Sequence, residues 1–113
     1  MSGNLARSMI DSRKLLESLQ GRAIHTVTGR ENRVLGFDGD RVIVWTTRSP
    51  AGRPIPISWV QDAIKRLDRE GELEVSVVSL GYRSAFIGAV LLQLPGATLI
   101  RTAPPRIRAR APT

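Results

Sequence analysis

The chain has 113 residues, which suits one small domain, and its 42% hydrophobic and 24% charged composition is that of an ordinary soluble globule. It has no cysteine and one histidine, His25, which excludes disulfides, thiolate metal sites, cysteine nucleophiles and a multi-histidine centre within one chain. Seventeen basic residues against ten acidic ones give a net charge of +7, and no apolar run is long enough to cross a bilayer, so the excess charge points first to nucleic acid.

In chain order, residues 1–10 read as a flexible N-terminus that lacks the apolar segment of a secretion signal, so a cytoplasmic, nucleoid-associated location is expected. Asp11 or Ser12 can cap a first helix carrying Leu15, Leu16 and Leu19 on one face, and Gly21 stops it. "AIHTV" (23–27) reads as a strand, "TGREN" as a turn and "RVLGF" (33–37) as a second strand. "DGD" is a tight hairpin turn, and "RVIVWTT" (41–47) is a third strand. In that third strand Val42, Val44 and Thr46 share one face, while Arg41, Ile43, Trp45 and Thr47 share the other.

"RSPAGRPIP" (48–56) carries so much glycine and proline that it reads as a loop. Ser58 and Gln61 then form a capping box for a second helix, with Trp59, Ala63, Ile64 and Leu67 as its buried stripe and Gly71 as its stop. "ELEVSVVSL" (72–80) is expected as a fourth strand. Residues 84–94 form a third, nearly uncharged core helix ended by Pro95, and "ATLI" (97–100) forms a last short strand. The order α-β-β-β-α-β-α-β, with hairpin-joined strands, predicts a single α+β domain over 11–100 with a mainly antiparallel sheet.

The stretch 101–113, "RTAPPRIRARAPT", holds Arg101, Arg106, Arg108 and Arg110 and no acid; without those four the net charge drops to +3. It is expected as a disordered basic tail giving non-specific phosphate contacts. Fifteen of the seventeen bases are arginine. GC-rich codon usage explains a preference for arginine over lysine, but it does not explain the net charge.

Catalysis has little material. No metal-ligand spacing, phosphate loop or nucleophile–base pair is visible, and the acids of residues 68–74 read as a solvated helix end. A lone strand histidine such as His25 is usually structural. We therefore expect no enzyme, no metal and no cofactor. Binding has more. Arg30, Arg33, Arg48 and Arg53 cluster at expected turns, and Tyr82, Arg83 and Ser84 stand at the start of the core helix. A helix N-terminus favours phosphate; the alternative is that Ser84 only caps the helix and Tyr82 fills a core edge. Trp59 is expected in the core, and Trp45, beside Arg41 and Thr47, is expected to be partly exposed and able to stack on a base.

Two segments, "RSPAGRPIPISWVQDA" and "GYRSAFIGAVLLQLPGA", resemble the N-terminal head domain of actinobacterial ScoMcrA-like type IV restriction endonucleases, which attack modified DNA. They are also similar to small stand-alone streptomycete proteins that bind DNA containing 5-methylcytosine. The resemblance covers roughly residues 15–97. It implies a modification reader that binds double-stranded DNA without cleaving it, since nothing like a nuclease site is present. It carries over Arg48, Ser49, Pro50, Tyr82, Arg83 and Ser84. Candidates for the methylated base itself are Trp45, Tyr82 and Arg83, with the base either flipped out or read in the groove. The alternatives are a general nucleic-acid binder or transcription regulator without methyl preference, and a protein-interaction subunit of a restriction system.

Overall fold

The structure is a computed structural model describing residues 11–80, 83–102 and 104–109. It has the expected α+β class with antiparallel sheets. Helix α1 (Ser12–Leu19) is capped by Asp11, whose carboxylate accepts from the backbone N–H groups of Arg13 at 2.9 Å and Lys14 at 3.2 Å. Ser12 is instead buried and donates its hydroxyl to Gln61 Oε1 at 2.6 Å.

Strands β1 (Ala23–His25), β2 (Glu31–Asp38), β3 (Arg41–Thr46) and β4 (Ser49–Pro56) form one antiparallel sheet in sequential order. The alternation read in the third strand holds: Val42 and Val44 are buried on the inner face, while Ile43 and Trp45 lie half-buried on the outer face. A bulge between Val34 and Gly36 displaces Leu35, whose carbonyl accepts from Gln20 Nε2 at 3.0 Å.

The expected loop at 48–56 is in fact strand β4. Proline is tolerated there because β4 is an edge strand, hydrogen-bonded to β3 alone. Ile55, opposite Val42 in register, is 1% exposed and fastens the strand to the core. Gly52, at φ +94°, lets β4 approach closely: a Cβ there would lie 2.5 Å from Ile43 Cγ2.

Helix α2 (Ile57–Glu70) buries Val60, Ala63, Ile64 and Leu67. It starts one residue before the expected cap, with Pro56 at the N-cap position and no side-chain cap. The Ile57 N–H is satisfied instead by the Asp40 carbonyl at 2.9 Å. Gln61 is drawn away to Ser12 of α1, so the capping box does not form and Gln61 fastens two helices together. Val60, in i, i+3, i+4, i+7 spacing with Ala63, Ile64 and Leu67, takes the core position expected of Trp59, which is 40% exposed. Gly71 ends α2 in the left-handed conformation, as expected.

The strand expected over 72–80 stops after three residues, β5 (Glu72–Glu74), and Val77–Leu80 form a single helical turn, α3. The ladder ends because its partner is short. That partner is β7 (Pro105–Arg108), the centre of a second antiparallel sheet of order β5-β7-β6, in which β6 is Thr98–Thr102. Residues 101, 102 and 104–109 are therefore not a disordered tail. Ile107 is fully buried and Ala109 nearly so. The alternating Arg-Ile-Arg-Ala pattern places the arginines outward and the apolar side chains inward. Residues 110–113, and Arg110 with them, lie outside the described residues, as does the flexible segment expected at 1–10.

Helix α4 (Ser84–Leu91) is apolar on all sides, and Phe86 through Leu91 are buried. It packs against α2 and the end of β1. Gly88 lets the helix also approach the residue after β5, since a Cβ there would lie 2.7 Å from Val75 Cγ1. One continuous apolar core joins both sheets and helices α1, α2 and α4.

Candidate nucleic-acid interface

A cleft of about 200 Å³ opens where the inner face of the four-stranded sheet meets the N-terminal end of α4. Its floor is built from β2, β3 and β4: Asn32, Val44, Thr46 and Ile55. The first turn of α4, residues 83–86, forms one wall. Thr26 and Arg30 of the β1–β2 turn and Arg48 and Ser49 of the β3–β4 turn form the rim. Both turns are held by hydroxyls. Thr26 Oγ1 accepts from the Arg30 N–H at 3.1 Å, and Thr46 Oγ1 accepts from the Ser49 N–H at 3.1 Å.

Four arginines line this cleft: Arg30, Arg48, Arg53 and Arg83. Arg53 lies on the inner face because its register partner is Val44, and its Nε donates to Ser49 Oγ at 2.8 Å. The single carboxylate in the lining is Glu31, which is already ion-paired with Arg33. Arg83 occupies the N-cap position of α4 and makes no side-chain capping hydrogen bond there. The positive end of the helix dipole and four guanidinium groups thus act on one small volume, which suits an anion.

Of the residues singled out from sequence, Arg30, Arg48, Ser49, Arg53, Arg83 and Ser84 converge here although they come from three separate stretches. Arg33 and Trp45 do not join them. They face each other in register on the outer side of the sheet, because a strand sends alternate residues to opposite faces and both fall in the outer phase. Tyr82 lies outside the described residues. Arg101 is exposed on β6. Arg106 and Arg108 are held by Glu72, at 2.9 Å and 3.1 Å. These two bonds, Arg106 first, keep the Glu72 carboxyl below its ordinary range. A carboxylate thus already faces the two arginines expected to make non-specific phosphate contacts.

Sequence reasoning missed Thr26, Asn32, Val44, Ile55 and Phe86 as cleft residues. Asn32 carried a signal. It stands two residues before Val34, in the inward phase of β2, where a polar side chain is out of place. The sequence pattern starts the strand at Arg33 and leaves Asn32 in the turn.

Among the described residues no cluster of histidine and carboxylate side chains could hold a metal, and no helix is long and apolar enough to cross a membrane. His25 ends β1 in an exposed position. Comparison of the chain with protein-family models, with curated proteins and with solved structures gives no match.

Proposed function

We propose that the protein binds double-stranded DNA through the arginine cleft, without cleaving it, and prefers DNA that contains 5-methylcytosine. The observation that carries the DNA reading is the convergence of four arginines, from three separate stretches of chain, on the N-terminus of α4. Phosphates suit that field, and loops on a rigid sheet are a common carrier of recognition groups. The preference for the methylated base comes from the resemblance of the segments at 48–63 and 81–97. Both segments supply cleft residues: Arg48, Ser49, Arg53 and Ile55 from one, and Arg83, Ser84 and Phe86 from the other. The apolar side chains of Val44, Ile55 and Phe86 offer a methyl group a dry contact.

One methyl group in an apolar site gives about 1–3 kcal/mol of discrimination, so most of the affinity must come from phosphate contacts. The test is a gel-shift titration of one short duplex in unmethylated, hemimethylated and fully methylated forms, repeated across salt concentrations. The expected result is a preference of about tenfold or more for methylated DNA. Affinity should also fall with salt at a log–log slope of about −3 to −4, as four phosphate-binding arginines require. Equal affinity for all three forms with the same slope would leave a general DNA binder. Affinity indifferent to salt would point to a protein partner instead.

A further inference from the structure

The floor of the cleft holds a group that phosphate binding does not use. Asn32 is only 4% exposed, and among the described residues its carboxamide has no hydrogen-bond partner. No fully enclosed side-chain nitrogen or oxygen among the described residues lacks a partner, so the carboxamide meets solvent, and it does so through the cleft. At 4% exposure the amide has lost most of its contact with bulk solvent, which makes a partner from outside favourable. An apolar side chain would suit the position better for packing alone, since its register partner across the sheet is the buried Ile24. The carboxamide is therefore poised for something that enters from outside.

The geometry points to a pocket for a single nucleobase extruded from the duplex, its Watson–Crick edge read by Asn32; this rests on the DNA-binding reading above. Depth is the first reason. A side chain that reads a groove must project from the protein, and Asn32 is recessed on the inner face of a sheet, so the ligand must project instead. Chemistry is the second. A carboxamide presents a donor and an acceptor side by side, which complements the amino group and ring nitrogen on the pairing edge of cytosine or adenine. A bare phosphate would satisfy only the donor and would set the amide oxygen against an oxyanion. The walls are the third. Val44, Ile55 and Phe86 line the cleft, and apolar lining suits a planar ring better than a phosphate. The size agrees, because about 200 Å³ is below the roughly 300–1,000 Å³ of pockets for drug-sized ligands. In this arrangement the rim arginines hold the phosphates on either side of the extruded nucleotide.

The test uses the full chain and a short duplex carrying pyrrolocytosine, a fluorescent cytosine analogue whose emission rises on unstacking. Alongside it, affinities are measured for the same duplex fully paired and with a single mismatched cytosine. Extrusion predicts a rise in emission on binding and tighter binding of the mismatched duplex by about tenfold or more, because the cost of unpairing has already been met. Asn32→Ala should bring that ratio close to one. The substitution removes no side-chain hydrogen bond among the described residues, so its melting temperature should stay near that of the parent. If the variant does not fold, the emission change in the parent still decides. Salt-dependent binding with unchanged emission and equal affinity for paired and mismatched DNA would overturn the extruded-base pocket while leaving the DNA reading in place. Absence of binding to every duplex would remove both.

Discussion

The two sheets of this protein treat arginine in opposite ways. In the four-stranded sheet Arg53 faces Val44 in register, and the arginines of the neighbouring turns surround a cleft whose one carboxylate is engaged by Arg33. In the three-stranded sheet Arg108 faces Glu72 in register, and Arg106 reaches the same carboxylate. Sequence alone gives the two sets the same appearance: basic residues among prolines, away from helix faces. What separates them is the residue across the ladder. Val44 sets no carboxylate against Arg53, which donates to Ser49 at the cleft rim, whereas Glu72 draws Arg108 into an ion pair within the sheet. Counting positive charge therefore locates no site until the register is known.

The sharpest way to break this comparison is to show that the second sheet is dispensable. Ile107 is fully buried at the centre of that sheet, so Ile107→Ala should cost about 2–5 kcal/mol in urea unfolding. Leu91→Asp, which places a charge at a fully buried position in α4, should abolish cooperative unfolding altogether. Deleting 101–113 removes β7 and should likewise unfold the chain. A tail serving only as a phosphate clamp would instead be lost with weaker DNA binding and an unchanged melting curve. A truncated chain that melts like the full one would reduce the second sheet to an appendage.

Pairs of arginines can then be set against each other. Arg30→Ala with Arg48→Ala should lower duplex affinity by about tenfold or more and flatten the log–log salt slope by about two. Arg106→Ala with Arg108→Ala should leave affinity within about threefold and act on stability instead. Equal losses of affinity from both pairs would erase the distinction between the sheets.

That stability effect has a pH signature. The folded Glu72 carboxyl sits below its ordinary range because Arg106 and Arg108 hydrogen-bond the charged form. Its contribution is therefore fully present above the carboxyl's unfolded value and fades as pH falls through the depressed folded value. Melting temperatures of the parent and of Glu72→Gln should differ modestly at neutral pH and converge in acid. The difference should be small because the pair is partly exposed and screened. A gap that persists into acid would assign the effect to packing.

Much of the fold was legible. The hairpin at 38–40, the alternation in β3, Gly71 as a helix stop and the all-apolar α4 each follow from local chemistry. The misreadings share a cause, since each depended on a distant partner. Prolines forbid a central strand but not an edge, and only the sheet order makes β4 an edge. Gln61 fits a capping box until Ser12 of another helix claims it. Residues 105–108 show a strand pattern of only four residues, and their arginines masked it until Glu72 was found opposite. In the site, the arginines were legible as charge at turns. The apolar floor was not, because Val44 and Ile55 look like any other core residue until the end of α4 is seen to leave them at the bottom of an opening.

The smallest expected effect belongs to the residue that sequence reasoning made a stacking candidate. Trp45 lies on the outer face of the first sheet, opposite Arg33, and away from the cleft. Arg33 is occupied by Glu31, and the nearby exposed apolar side chain on that strand pair is Leu35, 44% exposed. Base–aromatic stacking is worth about 1–3 kcal/mol per base, so a tryptophan that stacks on DNA cannot be replaced without a loss of about fivefold or more. Trp45→Leu keeps apolar bulk on the sheet and removes the stacking plane. If recognition runs through the cleft, its affinity for methylated duplex should stay within about twofold of the parent, and the methylated-to-unmethylated ratio should not move. A fivefold loss in a variant with an unchanged melting curve would place DNA on the outer face, and the cleft arginines would then have to be explained by another anion.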